Sequence, residues 1–168
     1  MRKLKMLFVA VMACLTVFEV SAQQRTSPKA EASGKVGGAK VDIVYCRPSA
    51  DKRKIMGGLV PFGEVWRTGA NAATTIEFDK TVKIEGKSVA AGKYALFTIP
   101  NENEWIIILN KDFNQQGAYN YDEKKDVIRV SVKPKKSDQF VETFTITTET
   151  DQVNMKWENT QVAFKVKS

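Results

Sequence analysis

Beyond residue 40 the chain is dominated by a two-residue alternation of apolar and polar positions. Val41, Ile43 and Tyr45 fall on one face, and Asp42, Val44 and Cys46 on the other, which is the pattern of a strand with one face in a core. The alternation returns at 74–78, where Thr74, Ile76 and Phe78 share a face, and at 82–84 and 94–99. It recurs at 127–132, with Arg129 and Ser131 outward, and at 140–148, with Phe144 and Ile146 inward. Near the end of the chain Val153, Met155 and Trp157 share one face, and Val162, Phe164 and Val166 another. Residues 105–109 are almost continuously apolar, as expected of a strand covered on both sides. Turn residues punctuate these runs at Glu85-Gly86, Ala91-Gly92, 100–103 and Pro134, and no long helical period appears. About eight or nine short strands with such spacing predict an all-β fold, an antiparallel β-sandwich or partly closed barrel.

The first 40 residues read differently. Arg2, Lys3 and Lys5 precede an uncharged apolar run over 6–18, and Val20-Ser21-Ala22 places small residues where a signal peptidase reads. This is the three-part organisation of a secretory signal peptide over residues 1–22. The apolar run is shorter than the roughly 17–25 residues a spanning helix needs, so no transmembrane span is expected in the mature chain. Cys14 sits in a weak lipobox-like context with Met12 at an awkward position, which makes a lipoprotein the lesser alternative to an exported, periplasmic or secreted protein. Residues 23–39 read as an extended polar lead-in, loosened by Gly34, Gly37 and Gly38, and 40–168 as a single sandwich domain.

Composition narrows the chemistry. Removing residues 1–22 takes away three cations (Arg2, Lys3, Lys5) and one anion (Glu19), so the formal charge falls from +7 to +5. That balance is mildly basic and too diffuse to imply nucleic acid. The chain contains no His, which excludes histidine-based triads, general bases and metal sites. Cys46 is the only cysteine after the leader, so the mature domain has no internal disulfide, and Cys46 is expected as a small buried residue on a strand. Gly86-Lys87-Ser88 is not a phosphate loop, because that motif needs glycine at position 81 and Thr81 stands there; it reads as a hairpin turn. No cofactor and no metal are expected.

The long stretch 47–72 has no sustained period. It carries Arg47, Lys52, Arg53, Lys54 and Arg67 against Asp51 and Glu64, with Phe62 and Trp66 interleaved. A connection of this length in a compact domain is more often functional than idle. Arg47, Trp66, Arg67 and Asn71 are the candidate ligand-binding residues: arginine offers a planar fork to carboxylate or phosphate, and tryptophan a flat face to a sugar ring. The competing expectation is structural, with Trp66 plugging the open end of the sandwich and Arg67 paired to Glu77 or Asp42. Lys52, Arg53 and Lys54 are expected in a solvated turn, and a short helical turn has room within the stretch. A second cluster, Phe113, Tyr119 and Tyr121 beside Asp112, Asp122 and Glu123, is expected to fold its aromatics back onto the core.

Several of these blocks resemble a known family. Arg47-Pro48-Ser49, Arg53-Lys54-Ile55, the run from Gly57 to Gly63 (GGLVPFG), the run from Val65 to Asn71 (VWRTGAN), Ala73-Thr74, the run from Ala91 to Pro100 (AGKYALFTIP), Trp105, Asn110-Lys111 and Gly117-Ala118-Tyr119 are similar to the exported bacterial family called domain of unknown function 2911 (DUF2911). The likeness spans essentially the whole mature chain. It implies export and a single compact domain, and it brings no catalytic residues.

Three functions stay open on the sequence. The first is an exported domain binding a small anionic or carbohydrate ligand through 47–72. The second is a carboxylate-dependent hydrolase acting on glycans, for which Glu64, Glu77 and Asp122 are candidate acids. The third is a structural subunit of the cell envelope, with a partner the sequence does not identify. The absence of a recognisable nucleophile places the binding domain ahead of the enzyme.

Overall fold

A computed structural model describes residues 27–168. The expected leader over 1–22 and the start of the lead-in lie outside the described residues. Ten strands form two antiparallel sheets: β1 (Lys29–Val36), β2 (Ala39–Cys46), β3 (Thr74–Phe78), β4 (Val82–Ile84), β5 (Lys87–Val89), β6 (Gly92–Ile99), β7 (Trp105–Asn110), β8 (Asp126–Val132), β9 (Lys135–Thr148) and β10 (Gln152–Lys167). The larger sheet has the order β1-β2-β3-β6-β7-β8 and the smaller β5-β4-β10-β9. A 3₁₀ turn at Glu123–Lys125 precedes β8. The architecture is an open β-sandwich, as the alternation predicts. No helix of the described residues is long and apolar enough to cross a membrane.

The main core lies between the sheets. Val41, Ile43, Tyr45, Ile76, Phe78, Trp105, Ile107 and Leu109 from the larger sheet meet Phe144, Ile146, Trp157, Phe164 and Val166 from the smaller. The larger sheet is also covered outside its centre, where Ala95, Phe97 and Ile108 are buried with Ala73 under Val65, Ala118 and Tyr121. That second cover explains why 105–109 has no polar face. Two loops supply it, one before β3 and one before the 3₁₀ turn.

Three boundaries differ from the sequence expectation. Residues 29–36, expected as a lead-in ahead of the domain, form β1, paired with β2 along its whole length; the sheet therefore starts at residue 29 and not 40. Its outward residues Lys29, Glu31, Ser33 and Lys35 are exposed, and charged positions of this kind guard an edge strand against pairing with other chains. The two C-terminal runs are one strand, β10, interrupted at Glu158, which has φ 55° at a bulge opposite β9. Lys87 and Ser88, expected in the turn, already belong to β5. The turn itself is Glu85-Gly86, with φ 46° and 86°, the left-handed pair that suits the twist of a two-residue hairpin.

Candidate functional site

The segment between β2 and β3 contains isolated bridges and turns and no helical turn. Its first part closes the edge of the smaller sheet. Ala50 N–H donates to the Glu142 carbonyl at 2.7 Å, and Phe144 N–H to the Pro48 carbonyl at 2.9 Å. Arg47 works here: its Nε donates to the Phe144 carbonyl at 3.2 Å and its Nη2 to Thr145 Oγ1 at 3.0 Å. Arg47 thus ties the end of β2 to β9, away from the cleft described next.

The last part returns to the larger sheet. Trp66 pairs with Thr98 on β6, through N–H···O=C bonds of 2.7 and 3.0 Å in the two directions. β3 then starts beside it, with Thr74 opposite Leu96. Residues 67–73 are therefore an excursion whose ends meet, closed by Thr74 N–H donating to the Arg67 carbonyl at 3.1 Å. Buried threonines hold its base: Thr74 Oγ1 donates to the Thr68 carbonyl at 2.6 Å, and Thr68 Oγ1 to Thr98 Oγ1 at 3.2 Å. Thr68 has φ 55° and is fully buried, a costly conformation for a β-branched residue. Such strain persists only where surroundings over-determine it, and it concentrates at functional sites. Asn71 also has φ 58°, which asparagine tolerates better.

This excursion walls a cleft of about 420 Å³. Trp66 and Trp157 lie in its floor, Arg53 and Arg67 reach it from the two ends of the β2–β3 segment, and Glu64 and Asn71 stand at its rim. Trp66 is buried; it stacks on Trp157 with ring centroids 5.9 Å apart and meets Phe144 edge-on at 5.2 Å. Its Nε1 donates to the Gly69 carbonyl at 3.0 Å. The expected plug and the expected apolar floor are thus the same residue. Arg53, expected in a solvated turn, is instead half-buried, and it donates to the Ala50 and Ser49 carbonyls at 3.0 and 2.7 Å.

Arg67 departs from the structural expectation. It pairs with neither Glu77 nor Asp42. Asp42 instead accepts from Ser33 and Lys40, and the Lys40 bond, ahead of the Ser33 bond, holds its carboxyl below the usual range. Arg67 is half-buried with no ion pair among the described residues, and its Nε is buried without a hydrogen-bond acceptor. A half-buried guanidinium without an acceptor among the described residues is unusual, since buried charge is ordinarily paired.

The second aromatic cluster lies next to the first. Gly117 N–H donates to the Asn71 carbonyl at 2.9 Å, and Ala73 N–H to the Gln115 carbonyl at 2.9 Å. Gly117, at φ 66°, has the Tyr119 ring and Arg67 Nη1 as neighbours. Of the three aromatics expected to fold back, Tyr121 does, edge-on to Phe97 at 5.0 Å; Tyr119 and Phe113 are exposed. Tyr121 donates to Asp126 at 2.6 Å and accepts from Arg129 at 2.7 Å. Burial, then the Asp126 bond, push its phenol up to about 12.

Of the candidate acids, Glu64 alone reaches the cleft. Glu77 is exposed on β3 opposite Lys93, and Asp122 caps the 3₁₀ turn by accepting from Lys124 N–H. Among the described residues no three acidic or thiol side chains gather as metal ligands would. Cys46, expected buried, is half-exposed. Trp157 completes the cleft without any signal in the sequence that would have grouped it with Arg67, because only the sandwich brings β10 under the 47–72 segment.

The molecule is thus an open β-sandwich with a cationic, tryptophan-floored cleft at one end. The chain belongs to DUF2911, a family described as protein of unknown function, whose model matches residues 27–166. No curated protein and no solved structure matches it.

Proposed function

We propose that this chain is an exported binding domain whose cleft takes an acidic sugar, with the carboxylate on Arg67. The observation that carries the reading is the half-buried Arg67 guanidinium, which lines a preformed cleft and has no partner among the described residues. Two guanidiniums against one carboxylate leave the lining net positive, which favours an anion. Arg53 is already engaged by two carbonyls, so Arg67 is the free fork for a bidentate carboxylate. Trp66 and Trp157, both buried, form the apolar base beneath the cleft, and the Asn71 amide at the rim suits a hydroxyl. The leader over 1–22 delivers this domain outside the cytoplasm; the exported product begins at Gln23, which N-terminal sequencing checks.

Isothermal titration of the exported protein with glucuronate, galacturonate, glucose and inorganic phosphate tests the reading. Saturable heats with the acidic sugars, weak or none with glucose, and loss in an Arg67→Ala variant that keeps its circular dichroism, are expected. Equal binding of glucose and glucuronate, or acid binding that survives Arg67→Ala, overturns it.

A further inference from the structure

We infer that the ligand is an oligomer of acidic sugars, and that a second hollow on the outer face of the larger sheet takes the unit next to the one held by Arg67; this rests on the function proposed above. The second hollow, about 340 Å³, lies over the end of β2 between Lys29 and Lys93, under Phe113 and Gln115, with Cys46 in its lining. One thickness of backbone separates it from the cleft. Gly69, in the cleft wall, packs so closely that an added Cβ would stand 2.9 Å from the Cys46 carbonyl oxygen. The rim between the two is the exposed pair Asn71 and Ala72, the first lining the cleft and the second the hollow. Ser27 lines the cleft and Lys29 the hollow as well, so the stretch 27–29 and the Ala72–Gln116 bridge border the same crossing.

The chemistry of the hollow repeats that of the cleft with different residues. Lys29 and Lys93 enter no ion pair among the described residues, and no carboxylate lines the hollow. Phe113 is 42% exposed with Lys93 Nζ 5.7 Å from its ring centroid, an aromatic face with a cation beside it. Gln115 is only 7% exposed; its Nε2 donates to the Asp112 carbonyl at 2.6 Å, while its carboxamide oxygen is buried and accepts nothing. Lysines call for an anion, and an unmet amide oxygen calls for a donor. A carboxylate alone meets only the first demand. A unit carrying both carboxylate and hydroxyl groups on a ring, a uronic acid, meets both and presents a face to Phe113.

Cys46 makes the hollow directly observable. In the full chain carrying Cys14→Ser, exported and purified, it is the only thiol. The probes are oligogalacturonates of one to four units, read by calorimetry and by the rate of Cys46 alkylation with iodoacetamide. Joining two subsites raises affinity through effective concentration, so the tetramer is expected to bind at least about tenfold more tightly than the monomer and to slow Cys46 alkylation at least about fivefold. Lys93→Ala should then lower the tetramer's affinity by about fivefold or more. Monomer binding that depends on Arg67 without any gain with length overturns the second subsite and leaves the cleft reading standing. Absence of binding at every length overturns both. Protection of Cys46 by a matched oligo-aspartate as strong as that by the tetramer overturns the assignment to saccharide.

Discussion

Replacing Arg67 by Met separates a ligand-binding arginine from a structural one by the sign of a stability change. Met keeps most of the aliphatic stem and removes the guanidinium, whose Nη1 lies beside Gly117. If Arg67 held the loop through an ion pair, its removal would destabilise the fold. Among the described residues it has none, and its Nε is buried without an acceptor. An unsatisfied buried donor costs about 1–3 kcal/mol; the lower end applies here because the residue is only half-buried. Arg67→Met is therefore expected to stabilise the domain by about 1 kcal/mol, in keeping with the general trade between function and stability. With a urea m-value of roughly 2 kcal/mol per molar, the midpoint moves up by about 0.5 M, and Tm rises by about 3 °C. Urea unfolding followed by circular dichroism and by tryptophan fluorescence measures it. A variant destabilised by about 1 kcal/mol or more would show that the guanidinium supports the fold, and the reasoning from its lack of a partner would fail.

Three further outcomes follow from the same geometry. Gly69→Ala places a Cβ at φ 153° and 2.9 Å from the Cys46 carbonyl oxygen, so urea denaturation should show a loss of about 1–3 kcal/mol; a neutral result would mean that the 67–73 excursion yields freely. Trp66→Ala empties the space between Trp157, Trp105 and Phe144 and should cost about 3–5 kcal/mol in the same assay, whereas a loss under about 1 kcal/mol would place Trp66 outside the core. The Tyr121 phenol keeps its proton in the folded state up to about 12, against 10.0 ordinarily, so its contribution to stability is complete below pH 10 and is lost as pH rises through about 12. The 295 nm difference titration between the parent and Tyr121→Phe should show one phenolate appearing near pH 12, and appearance near pH 10 contradicts the half-buried Tyr121–Asp126–Arg129 contact.

The strands were legible wherever one face meets a core and the other meets water. The alternation at 74–78 and 82–84 matches β3 and β4 residue for residue. β1 was not legible because it is an edge strand with mostly small and charged residues. Ala30, Ala32 and Val36 are its only apolar side chains, too weak a pattern to distinguish a strand from a tail. β10 read as two strands because the bulge at Glu158 shifts the side-chain alternation, moving the apolar set from 153, 155 and 157 to 162, 164 and 166. At the candidate site, residue types in 47–72 drew attention to Trp66, Arg67 and Asn71, and the fold does bring these three to one cleft. Arg47 did not follow, since its partners are a carbonyl and a hydroxyl of β9 almost a hundred positions away in the chain. The same distance in sequence hid the meeting of the 67–73 excursion with Gln115 and Gly117. No local pattern encodes a contact between two loops; it comes from the strands that end beneath them.

In the proposed function the Arg67 guanidinium takes the anion in the cleft, and the ¹⁵N-edited proton spectrum of arginine Nε–H groups reports on that group. With Arg67→Lys used to assign the resonance, addition of galacturonate should shift the Arg67 Nε–H signal in a saturable way, because a carboxylate bound to the guanidinium changes the field at that proton. A signal that stays in place while galacturonate reaches concentrations that bind elsewhere on the protein would contradict the account.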